Sequence, residues 1–234
     1  MNGKGWRLSF SVIVLILVVA LAMKWLEPPV STSKAENEAD IPALATAASD
    51  LRVYLPPLHG MIYYFTGKGM EYAAFSRRIT SAAPGFLQIE DTSGTNLAQV
   101  AEYNTDELKV IWSETEFYEN RSLLDPSVRE GRKGGEPTNL VFLKAPVIKG
   151  QKWNDASFQR EIVSTDHVVT VPLGTFYEVV VVKSRSLQAE DFVQYEYYAK
   201  NMGLIKREAL YVQDGETFAV VSSLNSLACP PPQF

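Results

Sequence analysis

One cysteine in 234 residues, Cys229, rules out an internal disulfide, and two histidines, His59 and His167, leave little with which to build a transition-metal centre. The chain has no CxxC, HxH or HExxH spacing. It also lacks a Gly-x-Ser-x-Gly elbow and a glycine loop that would cradle phosphate between a strand and a helix. No cofactor and no metal are therefore expected. Long helical periodicity is missing outside the first 26 residues, which excludes a bundle. Positive charge is scarce as well, with 22 Lys and Arg against 27 Asp and Glu and a formal net charge of −5.

The one long apolar run is Leu8 to Met23, preceded by Lys4 and Arg7 and followed by Lys24-Trp25-Leu26. At a 1.5 Å rise, residues 8–26 cover about 28 Å, which suits a hydrocarbon core of about 30 Å with Lys24 snorkelling and Trp25 at the interface. The expectation is an uncleaved transmembrane anchor. Its rival is a signal peptide cleaved after Ala22, since Ala20-Leu21-Ala22 has the small-x-small form. With Cys229 the only cysteine, no lipidation site is expected beside the segment. The basic residues before the run and Glu27, Glu36, Glu38 and Asp40 after it place residues 1–7 in the cytoplasm as a stub too short for a signalling domain. The remainder is then extracytoplasmic. Residues 1–26 hold three basic side chains and no acid, so the exported part carries −8 instead of −5. Such a surface repels phosphate backbones, and nucleic acid is not an expected partner.

Residues 27–52, with Pro28-Pro29, a Ser/Thr/Lys/Glu/Asn stretch and an Ala-rich piece from Ile41 to Leu51, read as a flexible linker. The Ala-rich piece has the composition for a short helix. From residue 53 to 227 the pattern is β-prone runs punctuated by turns. Strands are predicted at Met61 to Phe65, Glu71 to Thr80, Phe86 to Glu90, Leu97 to Tyr103, Glu107 to Tyr118 and Asn139 to Lys144. Further strands follow at Phe158 to Thr165, His167 to Val171, Phe176 to Lys183, Val193 to Ala199, Leu204 to Gln213 and Thr217 to Leu224. Turns as short as Ser93-Gly94 and Asp214-Gly215 imply antiparallel neighbours. Leu123 to Thr138, rich in alternating charge, reads as a mobile surface loop. Residues 228–234 read as a loose Pro-rich tail.

Twelve short strands must curl to hide their edges. The expected fold is all-β: a single antiparallel curved sheet forming a half-open barrel, or a sandwich, after one N-terminal transmembrane helix. A domain of about 170 to 180 residues buries roughly 70% of its unfolded surface and needs no staple. Val179 to Val182 and Asn139 to Leu143, apolar on both faces, are predicted to be central strands. In the strand from Val193, Gln194, Glu196 and Lys200 form a wet face and Val193, Tyr195 and Tyr197 an aromatic one.

Four segments carry a resemblance: Tyr54-Leu55-Pro56-Pro57-Leu58-His59-Gly60 with Tyr63-Tyr64-Phe65, Pro146 to Trp153, Val171-Pro172-Leu173-Gly174-Thr175-Phe176, and Tyr197-Tyr198-Ala199-Lys200-Asn201-Met202-Gly203-Leu204-Ile205. Together they resemble a recurrent β module of bacterial cell-envelope proteins and lipoproteins of unknown function. The resemblance implies a curved antiparallel sheet with a concave apolar side and transfers no activity. This chain departs from it in lacking an N-terminal lipidated cysteine. Independently of the resemblance, Pro172 and Gly174 suit a tight turn, Gly203 permits a bend, and Trp153, Phe158 and Phe176 are candidate core aromatics.

Asp166-His167 beside Ser164 does not form a relay, because adjacent strand residues face opposite sides, and a polar turn is expected there. His59 is expected in a loop at the domain entrance. Glu114 and Glu116, at i and i+2, would share a strand face, either solvated or as a paired-carboxylate site with Asp155 as a third candidate. Tyr63, Tyr64, Tyr72, Tyr195, Tyr197, Tyr198 and Tyr211 would line a concave sheet and stack on a sugar, grip an acyl chain or receive a peptide strand. Tyr63, Tyr195, Tyr197 and Trp153 are the candidate ligand-binding residues, with ordinary packing as the alternative. Three functions follow as expectations: noncatalytic binding or scaffolding of a hydrophobic or peptide ligand or an envelope partner, an extracytoplasmic hydrolase using paired carboxylates, and a structural spacer.

Overall fold

The computed structural model describes residues 50–56, 58–189, 191–213 and 216–229. The segments at 8–26 and 27–49 and the tail from 230 lie outside the described residues, and no described helix is long and apolar enough to cross a membrane.

Twelve strands form one antiparallel sheet, in chain order β1 Ile62–Lys68, β2 Phe75–Ala83, β3 Phe86–Ser93, β4 Thr95–Tyr103, β5 Glu107–Thr115, β6 Gly135–Lys144, β7 Lys152–Asn154, β8 Phe158–Val171, β9 Gly174–Ser186, β10 Phe192–Ala199, β11 Gly203–Gln213 and β12 Glu216–Ala228. The spatial order is β6-β5-β4-β3-β2-β1-β12-β11-β10-β9-β8-β7. Two six-strand meanders are thus joined where β1 pairs with β12, and the free margins are β6 and β7. These margins meet. Trp153 Nε1 of β7 donates to the Val141 carbonyl of β6 at 2.7 Å, and the Ala156 amide donates to the Asn139 carbonyl at 3.3 Å. The sheet is therefore a nearly closed barrel, as the all-β expectation required; a sandwich is not formed.

Several boundaries differ from the sequence reading. The two strands predicted on either side of Asp166 are one, β8, whose pairing with β9 slips at three places between Ile162 and Val169. Asp166 and His167 therefore lie in an irregular strand and not in a turn. Glu71 starts a 3-10 turn, Glu71–Ala73, and β2 begins only at Phe75. Val179 to Val182 are all buried in β9, which has a neighbour on each side. Asn139 to Leu143 belong to the marginal strand β6, not to a central one. Its apolar run is covered by Trp153 and the 145–157 connection, which substitute for a second ladder. Leu123 to Thr138 is likewise not a loose loop: Leu123 is fully buried, α1 (Pro126–Arg129) is capped by Asp125, and Gly135 already belongs to β6.

One end of the barrel is plugged. The 3-10 turn Leu51–Tyr54 packs Leu51, Tyr54 and Leu55 into the main core, and the Asn201 amide of the β10–β11 turn donates to the Val53 carbonyl at 2.6 Å. Gly203 makes this approach possible, with φ at +83° and a position where a Cβ would stand 3.2 Å from the Tyr54 carbonyl oxygen. The Val171–Gly174 pair closes a two-residue turn at Pro172-Leu173, as expected from the Pro and Gly there. The tip of that β8–β9 hairpin reaches β12, where the Leu173 amide donates to Leu224.

Candidate functional site

Strand alternation sets which side chains share a face. Across β8, β9, β10, β11 and β12 the register aligns Arg160, Ser184, Gln194, Ala209 and Val220 in one row. The next row holds Ile162, Val182, Glu196, Arg207 and Ser222. Contacts between strands that are not neighbours identify this as the concave face. Arg207 of β11 places its guanidinium 5.8 Å from the ring centre of Phe75 on β2, and Tyr198 of β10 stacks on Phe142 of β6 at 6.1 Å. Such contacts form only across the hollow of a curled sheet.

The sequence therefore mispredicts the faces of β10. Gln194, Glu196 and Tyr198 point inward and are 4–5% exposed, whereas Val193, Tyr195 and Tyr197 face the convex side. The polar residues are tolerated inside because they are paired. Arg77 and Asp91 form a cross-strand fork with bonds of 2.8 and 2.7 Å. Arg160 donates to Asp155 at 2.6 Å, to Ser184 at 3.0 Å and to Glu196 at 3.2 Å, and Arg207 reaches the other Glu196 oxygen at 3.3 Å. Three arginines and three carboxylates thus form a charge-balanced interior. Burial opposes the Arg77 charge, but Asp91 outweighs it and the pKa lies above the usual arginine value. Burial likewise pushes the Glu196 carboxyl up, but Arg207 and Arg160 outweigh it and hold the pKa below the ordinary value. Burial, reinforced by the Glu196 charge, raises the Tyr198 hydroxyl well above its normal range.

An aromatic shelf accompanies the charges. Phe75 stacks on Phe65 at 4.3 Å, with Arg77 and Arg207 each 5.8 Å from the Phe75 ring centre. Away from the plug the same face continues through Phe192 and the stacked pair Tyr211 and Phe218, 5.5 Å apart. Toward the plug, Tyr63, Arg77, Ile79 and Ile89 border a cleft of about 20 Å³ beside Leu55 and Pro56, room for a water molecule or two.

The four candidate ligand residues are not brought together. Tyr63 is buried on the concave side next to Arg77, and burial raises its hydroxyl pKa. Trp153 is buried at the seam between β6 and β7. Tyr195 and Tyr197 lie on the opposite face, under the Lys183 and Lys206 ammonium groups at 5.7 and 5.0 Å. Burial and Glu208, whose carboxylate accepts from the Tyr197 hydroxyl at 3.2 Å, push the Tyr197 pKa up to about 12. Exposed His167 sits 6.0 Å from the Tyr197 ring, and exposed His59 bonds the Thr80 carbonyl through Nε2 at 2.8 Å.

The carboxylate candidates separate as well. Glu114 is buried on the convex side and forked by Arg132 with two bonds of 2.6 Å, while Glu116 follows the end of β5 at φ +56° and is exposed. They do not share a strand face. Arg132 also binds Glu119, and both acids raise its pKa, Glu114 foremost. Asp155, with no exposed side-chain surface, lies inside the barrel. Inside the barrel, Asp155 and Glu196 are bridged by the Arg160 guanidinium. Among the described residues no group of three or more His, Cys, Asp or Glu converges in a way that would hold a metal ion.

No protein-family model matches this sequence, and no curated protein matches it either. Two solved structures are similar in fold. One is a provisionally assigned exported protein with a YmcC-like fold from Bacteroides fragilis, with a TM-score of 0.45 and 16% identity over 74% of this chain and 97% of that one. The other is a provisionally assigned lipoprotein from Parabacteroides distasonis, with a TM-score of 0.39 and 14% identity over the same shares.

The residues that sequence reasoning missed are Arg77, Asp91, Arg160, Gln194 and Arg207. The turn at Asn201 to Gly203 alone would set Glu196 opposite Lys206; a bulge between Tyr197 and Tyr198 shifts the pairing by one and brings Arg207 opposite Glu196, a shift that no local pattern in the sequence announces.

Proposed function

We propose that this chain is a membrane-tethered, extracytoplasmic β domain that binds a ligand or an envelope partner on its concave face and performs no chemistry there. The apolar segment at 8–26 supports the tether and orientation, and the β module that the four segments resemble is one of envelope proteins. The observation that carries the noncatalytic reading is the pairing of the inward carboxylates Asp91, Asp155 and Glu196 with arginines, with Glu196 held below its ordinary pKa. A general acid needs the opposite shift. The cleft beside Tyr63, at about 20 Å³, has no room for an acyl chain.

Cys229 is exposed and is the only cysteine, which makes it a native reporter of topology. In spheroplasts a membrane-impermeant maleimide labels it without detergent while the protein sediments with membranes. Protection until lysis overturns the orientation. Native mass spectrometry of the full chain extracted from membranes tests binding: a copurified mass is expected that is lost in Ala209→Trp, which sets an indole beside Gln194 on that face. A mass retained in that variant, or none in either, overturns the concave-face reading.

A further inference from the structure

We propose that the plugged end of the barrel docks on the surface of the bilayer, with the outer side of the β8–β9 hairpin entering the interface through Val168, Leu173 and Tyr177. The proposal rests on the tether read at residues 8–26 and adds how the domain sits against the membrane.

The hairpin projects from the wall. β9 pairs with β10 only from Arg185 to Val180, so residues 174–179 run past that neighbour, and β8 runs beside them to Val171. Such a two-stranded ribbon has two sides, and alternation gives them different characters here. On one, Val169, Val171 and Val179 are buried and Phe176 packs against the main core. The other carries Val168 at 54% exposure and Tyr177 at 70%, with the exposed hydroxyls of Thr170 and Thr175 bonded to each other at 3.0 Å. Leu173, 37% exposed, stands at the tip. The stretch from Val168 to Tyr177 holds no Asp, Glu, Lys, Arg or His. It therefore enters the headgroup layer without carrying a charge out of water, and a tyrosine suits that layer because its ring is apolar at one end and wet at the other.

The place of the tether decides what this side meets. The hairpin tip lies at the same end of the sheet as the β10–β11 turn, the start of β1 and the 3-10 turn Leu51–Tyr54. The chain thus arrives from the apolar segment at this end. Residues 27–49 lie between the two, and as a flexible linker they have a root-mean-square span of about 24–29 Å. Contact with the bilayer is then an intramolecular event at high effective concentration, for which a small apolar area suffices. The connection from the plug into β1 matches the hairpin: Val53 to Gly67 contains no Asp, Glu, Lys or Arg, and Leu58 within it is 39% exposed. The far end differs. Its exposed aromatics stand among acids, Tyr72 beside Glu71 and Tyr118 between Glu116 and Glu119.

The test places the full-length protein, carrying Cys229→Ser, singly in nanodiscs of phosphatidylcholine, with one environment-sensitive fluorophore on a cysteine introduced by Leu173→Cys, Tyr177→Cys or Tyr118→Cys. Tyr118 is 67% exposed, close to Tyr177, but follows the end of β5 farthest from the plug, which makes it the matched control. Nitroxide-bearing lipid is expected to quench the label at 173 and at 177 and to leave the label at 118 unchanged. Adding Val168→Glu and Tyr177→Glu to the Leu173→Cys protein is expected to abolish the quenching, while the chain still floats with liposomes through residues 8–26. Equal quenching at 173 and 118, none at 173 and 177, or quenching that survives the two glutamates overturns the docking and leaves the tether standing on its flotation. A chain that does not float overturns both. A label at 173 that is shielded only when a disc holds two copies, with no quenching by lipid, assigns this side of the hairpin to a second copy and also overturns the proposal.

Discussion

Replacing Glu196 by Gln removes the one carboxylate that two interior arginines share. Arg160 is left with Asp155 and Ser184, and Arg207 with nothing on its concave side but Phe75 and a neutral amide. The Glu196 and Arg160 side chains keep only 6% and 5% of their surface, so water replaces little of the lost interaction. Breaking such a buried pair costs about 3–5 kcal/mol, against a total stability of about 5–15 kcal/mol for an ordinary domain. At about 2–4 °C per kcal/mol for 150–250 residues, the thermal midpoint falls by about 6–20 °C at pH 7.

The pH dependence has a definite sign. Because the folded pKa of Glu196 lies below its ordinary value, the unfolded chain binds the extra proton first as the solution is acidified. The Glu196 contribution is complete above the unfolded value of about 4.3 and fades as pH falls through the folded one. Thermal melts of wild type and Glu196→Gln by near-ultraviolet circular dichroism therefore converge below about pH 4. A loss under about 1 kcal/mol at pH 7, or a gap between the two proteins that widens on acidification, refutes the account of the interior as a paired network. A double-mutant cycle with Arg207→Met sharpens the test, since contacting members of one network couple by about 0.5–3 kcal/mol.

Three further perturbations test the frame around this interior. Trp153→Phe removes the Nε1 bond to the Val141 carbonyl and is expected to cost about 1–3 kcal/mol, with faster amide exchange confined to β6 and β7; unchanged exchange there would show that the seam does not depend on the indole. Gly203→Ala forces a non-glycine residue into φ +83° and sets its Cβ 3.2 Å from the Tyr54 carbonyl, so denaturant melts are expected to show a loss of about 1–3 kcal/mol. Leu123→Ala empties a fully buried site in the small convex cluster with Phe117, Ala98 and Val100. It is expected to cost about 2–5 kcal/mol and to open residues 117–133 to limited proteolysis, whereas an unchanged cleavage pattern would return this segment to the status of a loose loop.

The strands were legible because alternation and turn chemistry are local. Asn201 to Gly203 and Pro172 to Gly174 set the first pairs of their hairpins, Ala199 with Gly203 and Val171 with Gly174, before irregularities further along shift both registers. The short strand β7 was not legible: three residues, Lys152–Asn154, carry no period, and their place follows from Trp153 reaching across the seam. The single span of β8 was hidden for a different reason. Asp166 and His167 look like a turn in sequence, and only the slipped pairing with β9 absorbs them into a strand. Glu114 was read as a candidate carboxylate, but its burial was not foreseen, because Arg132, its partner, stands eighteen positions away beyond the α1 segment.

The reversal of β10 has the most to teach about function. Alternation reports that Gln194 and Glu196 share a side, but not which side is in. That choice is made by the rest of the sheet. The opposite face already holds Val181 beside Tyr197, and Glu208 beside Tyr195. The Glu196 face meets Arg207 on one neighbour, Val182 on the other and, across the hollow, the Arg77 charge. A carboxylate placed among three guanidinium groups is stabilised inside only when the sheet has curled far enough to bring β2 toward β10, strands that lie four places apart in the sheet. The interior charges and the closure at Trp153 therefore depend on each other. Opening the seam exposes the network to water, and neutralising the network removes part of what draws the two halves of the sheet together. Trp153→Phe combined with Glu196→Gln is accordingly expected to cost less than the sum of the two single losses, although their side chains belong to strands three places apart. Strict additivity would show that the seam and the interior hold the barrel independently.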